Sequence, residues 1–239
     1  MLVDLHTHSS GISKCCKATA QQNIDRGRET GIDGFVLTNH YTHVYLGDGT
    51  AEEFARRYVE EYRLAKAYAD SVDFKLLFGV EVSIRQHWGV HLLVLGVSEN
   101  FVLEHPTVYD YSQEELFQVV HQAGGVLIQA HPLRKGSYPL DLKYLDGIEV
   151  NCHPGYDACH LETLAKTSAE AGVILTCGGD YHADTKYRPH CGVYLPDWVL
   201  TEQDLARFLK EAQEISLCAH EVGSSASEDA TFRRGVGLI

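Results

Sequence analysis

Short apolar and β-branched runs alternate with longer amphipathic stretches along most of this chain. The short runs predict strands over residues 2–8, 34–40, 74–83, 90–97, 125–131, 147–153, 172–182 and 191–196. Apolar positions at helical spacing predict helices over residues 18–30, 51–69, 158–171 and 201–212, and one more that begins at Ser112. Strands that alternate with helices in this way favour an α/β fold with a parallel sheet, often a barrel.

The length of 239 residues suits one large domain with a sizeable core. We find no internal repeat or linker, so the sequence predicts a single domain over residues 1–222. The remainder, residues 223–239, is rich in Ser and Gly at first and is expected to be a poorly ordered tail.

Composition and charge narrow the function. Hydrophobic residues make up 44% and charged residues 22%, which is typical of a soluble protein. No membrane-spanning run or secretory signal is present, and an odd count of seven Cys without a CxxC pair favours free thiols, so we expect a cytoplasmic protein with no membrane partner. The net charge of −13 argues against a stable nucleic-acid complex. An anionic substrate would need a local positive site, such as bound divalent cations.

Imidazole and carboxylate side chains lie at the ends of most predicted strands, where the active sites of parallel barrels collect. The eight are His6, His8, His40, Glu81, His91, His131, Asp180 and His182. Each of these positions alone has an ordinary structural explanation, but together they would require a separate coincidence at five or six strand ends. Eight such groups exceed the needs of one four-coordinate ion. The sequence therefore predicts two or three divalent ions, and this ligand set suits zinc, manganese or iron.

The same residues carry a resemblance to a known family. The order D-L-H-T-H-S, T-N-H, G-V-E, H-L-L, A-H-P and G-G-D-Y-H resembles the PHP (polymerase and histidinol phosphatase) superfamily, from Val3 to about His182. The resemblance covers three quarters of the chain. It implies a distorted (β/α)7 TIM-like barrel and a cluster of two or three metals that hydrolyses phosphate esters.

The resemblance also implies how the ligands divide among the ions. One ion would take His6, His8, Glu81 and Asp180; Glu81 would bridge to another ion held by His91 and His131; a further ion would take His40 and His182.

The chain departs from the family pattern at two places. Asn39 stands where the family usually has Asp, and we expect it not to bind a metal directly. Ser13 and Lys14, followed by Cys15, occupy positions where the family often has an Asp or His ligand. Cys15 is therefore a candidate third ligand of the ion on His40 and His182, and Lys14 is a candidate cation for the substrate phosphate.

Other residues are candidates for contact with the substrate. Arg134 follows His131 by three residues, and its planar fork suits a phosphate, although a surface salt bridge is an equal alternative. His153 and Tyr181 are candidate pocket walls. Asp180 or His182 is expected to assist the leaving alcohol.

The reaction that we expect is hydrolysis of a small phosphorylated substrate. Histidinol phosphate, a nucleotide and another phosphomonoester all remain open, and the sequence does not indicate the oligomeric state. One alternative is a metal-dependent amidohydrolase, whose barrel also begins with H-x-H, although Glu81 and the D-x-H ending argue against it. The other is a PHP module that binds metal without catalysis and only scaffolds a partner.

Overall fold

The computed structural model describes residues 1–185, 187–221, 223–224 and 226–239. The strands are β1 (Leu2–Thr7), β2 (Gly34–Leu37), β3 (His40–Tyr41), β4 (Lys75–Val82), β5 (His91–Leu95), β6 (Val126–Ala130), β7 (Gly147–Asn151), β8 (Ile174–Gly178), β9 (Gly192–Tyr194), β10 (Glu214–His220), β11 (Ser227–Arg233) and β12 (Gly237–Leu238). The helices are α1 (Ala20–Glu29), α2 (Ala51–Ser71), α3 (Asn100–Glu104), α4 (Gln113–Gln122), α5 (Leu161–Ala171) and α6 (Glu202–Glu211). The predicted mixed α/β fold is confirmed.

The strands form one curled sheet in the order β12-β11-β10-β9-β1-β2-β4-β5-β6-β7-β8, with β3 beside β4. The pairs β1–β2, β2–β4, β6–β7 and β7–β8 are parallel. The curl brings the exit of β8 back to the end of β1, where the Asp180 N–H donates to the His6 carbonyl at 2.8 Å and Tyr181 bridges to Thr7. The carboxyl ends of distant strands therefore meet at one place.

The middle of the sheet departs from a regular alternation of strands and helices. A tight connection without an α-helix joins β4 to β5, and β5 is antiparallel to both β4 and β6. The reversal places the start of β5 at the same edge as the ends of its neighbours, with His91 opposite Ala130. A residue that begins a strand thus reaches the site that the other strands reach with their last residues.

Local sequence signals explain where the helices begin. The predicted S-x-x-E capping box is present, since Ser112 accepts from the Glu115 N–H and the Glu115 side chain returns to Ser112. Thr201 caps α6 in the same way, as predicted. The predicted apolar face of α2, including Phe54 and Tyr58, is buried and packs on β4.

The C-terminal residues differ from the expected poorly ordered tail. From Ser227 onward they form β11, which pairs antiparallel with β10 and places Phe232 opposite Ile215. Both of these side chains are fully buried. Within β11, Ala230 and Phe232 alternate with polar residues, as in a strand with one buried face. Val222, at the predicted domain boundary, lies outside the described residues.

The described helices include none that is both long and apolar enough to cross a membrane.

Candidate metal centre

The strand ends bring the predicted ligands into three overlapping groups. Within each group, the ligand atoms all lie within 4.8 Å of one another. The groups, among the described residues, are His6, His8, Glu81 and Asp180; His8, His40 and His182; and His40, Glu81 and His91. His131 adjoins them, with its Nε2 atom 3.1 Å from Oε1 of Glu81.

Glu81 lies at the centre of the cluster and is fully buried. Its Oε1 atom is 2.8 Å from Nδ1 of His91 and 3.3 Å from Nε2 of His6. Its Oε2 atom contacts His40 and lies 3.5 Å from Nε2 of His8. Burial alone would raise the pKa of this carboxyl, but the surrounding imidazoles, His40 first, hold it well below its usual value. Glu81 is therefore ionised and central enough to serve two cations.

The His6 ring is oriented by a carboxylate from another strand. Its Nδ1 atom lies 2.9 Å from Oε1 of Glu149, the middle residue of β7. This contact orients the ring so that its Nε2 atom faces the cluster, 3.3 Å from Oε1 of Glu81 and 3.3 Å from Oδ1 of Asp180. Gly178 makes this contact possible, because a Cβ there would lie 2.5 Å from Cβ of His6 and 2.6 Å from Oε1 of Glu149.

The His8 ring is oriented by a hydroxyl. Nδ1 of His8 lies 3.0 Å from Oγ of Ser13, which itself donates to Oδ1 of Asn39 at 2.8 Å. That Asn39 oxygen also accepts from the Ser9 N–H. The Ser13 hydroxyl donates its one proton to Asn39, so Nδ1 of His8 must donate to the Ser13 oxygen. The Nε2 atom of His8 then carries the lone pair. Ser13 and Asn39, the two departures from the family pattern, thus hold a proposed ligand in place.

The residues present fit a bound cation. The Nε2 atoms of His6 and His8 lie 3.1 Å apart, and both lie within 3.3 Å of Oδ1 of Asp180, so two imidazole nitrogens and a carboxylate oxygen converge as the ligands of a divalent ion do. Among the described residues, Oδ1 of Asp180 and Oε2 of Glu81 are buried and accept no well-formed hydrogen bond. Because buried polar atoms usually have a partner, these two oxygens indicate that a cation would be their shared partner.

Two of the proposed ligands have unusual backbone conformations. Asp180 has φ 47° and His131 has φ 31°, both in the region that non-glycine residues seldom adopt. Asp180 is also held from the side, because the Tyr156 hydroxyl donates to its Oδ2 atom. Strained backbone of this kind collects at functional sites, where the surrounding structure enforces it.

Cys15 lies beside His40 and His182, whose Nε2 atoms are 3.4 Å apart. Burial raises the pKa of the Cys15 thiol, but contacts with His182 and His40 outweigh it and lower the pKa to about 5. Of the seven cysteines, Cys15 is the exposed one. Lys14 is exposed too, and its ammonium lies 5.3 Å from the centre of the Tyr45 ring.

Arg134 lies at the border of the cluster. Its Nη1 atom donates to the Tyr156 hydroxyl at 3.2 Å and its Nη2 atom donates to the Gly89 carbonyl at 3.2 Å. Within the described chain it forms no ion pair, and its buried Nε has no partner. These contacts do not match the alternative of a surface salt bridge, and they leave the guanidinium charge without a carboxylate of its own.

His153 and Tyr181, the other two candidates for contact with the substrate, do not lie together. The His153 ring packs 4.6 Å from the Tyr156 ring and 6.1 Å from the His182 ring, so it borders the cluster. Tyr181 instead accepts a hydrogen bond from Arg26 of α1. The expectation that Tyr181 lines the pocket is therefore wrong, because alternation along the chain turns it away from both of its neighbours.

Sequence reasoning missed several residues that support the site. Glu149 and Tyr156 orient proposed ligands, as described above. Asp4 accepts from the His6 N–H at 3.0 Å and the Gly179 N–H at 2.8 Å, and it pairs with buried Arg188. Asp4 and Glu149 can be recognised in the sequence as charged residues between apolar neighbours in a strand, a place where a charge is seldom found without a partner.

The chain matches known proteins in its fold but not in its sequence. No protein-family profile matches the chain, and neither does any curated protein sequence. Solved structures do match. A two-domain protein from Bacteroides vulgatus containing a predicted PHP-like metal-dependent phosphoesterase is 15% identical, with a TM-score of 0.67 over 92% of this chain. The fold is that of the PHP-like proteins. The present chain spans 65% of that Bacteroides protein.

Two further solved structures resemble this chain in fold. A protein from Bifidobacterium adolescentis, also assigned as a metal-dependent phosphoesterase by prediction, is 18% identical; it has a TM-score of 0.54 over 87% of this chain and 94% of its own. An amidohydrolase from Chromobacterium violaceum, solved with bound sulfate and no metal, is 20% identical; it has a TM-score of 0.51 over 82% of this chain and 93% of its own. At these identities the likeness shows the fold, and the predicted PHP resemblance is confirmed at that level.

Proposed function

We propose that this chain is a metal-dependent hydrolase of small phosphate esters. The observation that carries the proposal is the convergence of the Nε2 atoms of His6 and His8, 3.1 Å apart, with the carboxylates of Glu81 and Asp180. Such a donor set suits divalent transition metals such as zinc, manganese or iron. The PHP-like neighbours are predicted to be phosphoesterases that depend on metal. A distorted (β/α)7 barrel in a single domain is the arrangement that we infer for the whole chain.

We infer the division of the ligands among the ions from the family resemblance, and the distances between ligand atoms support it. One ion would bind His6, His8, Glu81 and Asp180, whose ligand atoms all approach one another. A second ion would bind His40 and His182, with Cys15 beside them. A third would bind His91 and His131, with Glu81 as the bridge. Bound divalent ions supply Lewis acidity, which lowers the pKa of water and offsets phosphoryl charge.

The side chains around the ions would bind and orient the substrate. Arg134 has two partners but no carboxylate, so its charge is available to the phosphoryl oxygens. Tyr156 holds both Arg134 and Asp180, and so keeps the two in fixed relation. Lys14 and His153, on the border of the cluster, are further contacts that we propose for the substrate.

A proton must reach the leaving oxygen. Asp180 and His182 are the groups that we consider for this role. Asp180 already accepts a hydrogen bond from Tyr156 and faces His6 and His8, so it is occupied as a ligand. His182 lies nearer the surface, and its Nδ1 atom donates to the Asp180 carbonyl at 2.6 Å. His182 is committed in the same way, because its Nε2 atom faces His40 at the proposed second ion, so neither group is favoured over the other for this role.

The proposal is tested with the intact protein loaded separately with zinc, manganese and iron. We expect at least two ions per chain by elemental analysis and turnover of one or more members of a panel of phosphate esters. The panel includes histidinol phosphate and nucleoside monophosphates. Metal-loaded protein with fewer than one ion per chain, or with no turnover across the panel, would contradict the proposal.

The amidohydrolase among the structural neighbours makes a second reaction worth testing in the same assay. Cyclic and acyclic amides are added to the panel for this purpose. Hydrolysis of an amide with none of the phosphate esters would favour that class, and tight metal binding without any turnover would favour a non-catalytic module. Glu81→Gln is the control, since a hydrolase that uses the cluster loses turnover with this carboxylate.

A further inference from the structure

A cavity of about 270 Å³ adjoins the proposed metal centre. Two of its walls, His40 and His91, belong to the metal-ligand groups. The lining also includes Tyr45, Ile84 and Trp88, together with polar residues such as Arg85. Because two proposed ligands line it, this space is next to the place where we propose that the phosphate binds.

Trp88 is the most unusual of these walls. The connection from β4 to β5 carries its indole, and the residue is 84% exposed, the highest value among the large hydrophobic residues that are exposed in the described chain. Exposing a large aromatic surface is unfavourable. A ligand in this cavity that covers the indole would remove that apolar surface from water.

The loop that carries Trp88 is firmly held. The Arg85 N–H donates to the Tyr109 carbonyl at 2.8 Å, and the Gly89 carbonyl accepts from Arg134 at 3.2 Å. Gly89 has φ 81°, and a Cβ there would lie 2.3 Å from the Gly136 carbonyl oxygen, so only glycine allows this contact. The loop is thus pinned to the same arginine that we propose for the phosphate. The backbone on both sides of Trp88 is therefore held in place.

Resting on the proposed function, we propose that this cavity receives the leaving group of the phosphate ester and that Trp88 selects a flat aromatic one. In the reaction, a water oxygen forms the new bond to phosphorus, the bond from phosphorus to the leaving oxygen breaks, and a proton passes to that oxygen. The released alcohol or phenol then occupies the cavity. Its volume is close to the lower limit of about 300 Å³ for small-molecule sites, which fits one compact ring system rather than a polymer.

The kinetic test compares phenyl phosphate with cyclohexyl phosphate, which differ in flatness but have rings of the same number of atoms. The measured quantity is the ratio of their kcat/KM values, because intrinsic reactivity cancels when variants are compared. Trp88→Ala should lower the phenyl-to-cyclohexyl ratio by roughly three- to tenfold, which is the worth of an aromatic pair. Trp88→Phe should retain most of the ratio. Trp198→Ala, at the other tryptophan, is the matched control and should leave the ratio unchanged.

A binding measurement checks the same contact without turnover. In a Trp198→Phe background, Trp88 is the remaining one of the two tryptophans. Phenylphosphonate added to the metal-loaded protein should change its emission, whereas methylphosphonate should not. If both esters are turned over, the ratio is unchanged in Trp88→Ala and the emission does not respond, the inference is wrong while the hydrolase stands. Turnover of another phosphate ester of the panel but of neither ring ester overturns this inference alone. Metal-loaded protein that turns over no ester at all overturns the proposed function, and this inference with it.

Discussion

Nδ1 of His6 lies 2.9 Å from Oε1 of Glu149, so a carboxylate from β7 determines which nitrogen of a β1 histidine faces the proposed metal centre. Both side chains are fully buried. Partners of this kind orient a metal ligand and make it more basic, and their loss typically costs ten- to a hundredfold in metal affinity.

The first prediction therefore concerns Glu149→Gln. The amide keeps the shape of the side chain but removes the charge, so we expect metal affinity to fall by roughly ten- to a hundredfold. Competition with a chelator of known affinity measures the change. Glu170→Gln, at an exposed glutamate of α5, is the control and should have no effect. Unchanged affinity in Glu149→Gln would show that His6 does not depend on this contact.

The second prediction concerns the bridge. Oε1 of Glu81 lies 2.8 Å from His91 and 3.1 Å from His131, and its other oxygen faces His8 and His40. Glu81→Gln should therefore release more metal than His131→Ala and should abolish turnover. Elemental analysis after gel filtration gives the ion count. Equal and intact metal content in both variants would contradict a bridging role.

The third prediction concerns Arg134→Ala. Loss of a charge-assisted hydrogen bond to the phosphate, worth about 1.5–3 kcal/mol, should lower kcat/KM by roughly ten- to a hundredfold with the metal retained. If Arg134 contacts the phosphate equally in the ground state and the transition state, its loss raises KM. If the contact tightens in the transition state, its loss lowers kcat as well. Lys135→Ala, at an exposed neighbour, should change little. Normal kinetics in Arg134→Ala would remove Arg134 from the substrate site.

The fourth prediction concerns Cys15, the exposed cysteine beside His40 and His182. In metal-free protein, iodoacetamide should modify Cys15 well before the six buried cysteines. Metal loading should slow that modification if the thiolate binds the second ion. Mass spectrometry of tryptic peptides follows each site separately. Equal rates with and without metal would leave His40 and His182 as the protein ligands of that ion.

A related expectation is that this second ion is held least tightly, because Ser13 is committed to His8 and Lys14 carries a positive charge. Mild stepwise chelation should remove it first, and Lys14→Asp should strengthen it. Loss of the ion on His91 and His131 before it, with no effect of Lys14→Asp, would contradict this view of the loop.

The fifth prediction concerns stability. Arg188 is buried, and it pairs with fully buried Asp4 at 2.6 Å. Arg188→Ala leaves that carboxylate without its cation, and breaking a buried pair in this way costs about 3–5 kcal/mol in the free energy of unfolding. Urea denaturation measures the loss. Lys166→Ala, which breaks an exposed contact to Glu170, should change the midpoint little. Equal midpoints in the two variants would show that the Arg188–Asp4 pair does not stabilise the fold.

The proposed ligands could be identified from the sequence because each stands at the edge of a recognisable apolar run. His6, Glu81 and Asp180 are examples, and the structure brings these three together. Their supporting residues could not be identified in the same way. Tyr156 reaches Asp180 from a loop, and Glu149 reaches His6 from a strand that is far away along the chain. Such contacts depend on the curl of the sheet, which the local pattern does not encode.

The C-terminal strands show a second limit. In residues 227–233 the apolar positions are Ala230 and Phe232 alone, which are too few for the sequence pattern to predict a strand. The pairing of β10 with β11 supplies most of what makes them strands, with Phe232 and Ile215 as the buried pair. Strand formation in such segments depends on tertiary partners more than on intrinsic preference.

The return of β8 to β1 has a consequence for how the protein matures. His6 and Asp180, whose side chains approach to 3.3 Å, are separated by most of the polypeptide. While the chain is being synthesised, the first histidines leave the ribosome long before their acidic partner exists. A nascent chain therefore has no complete site with which to capture a metal ion, and loading must await closure of the sheet. Removal of a bound cation from the folded protein would, in turn, leave the buried side chains of His6, His8 and Glu81 together, without a shared partner, at the seam that closes the sheet.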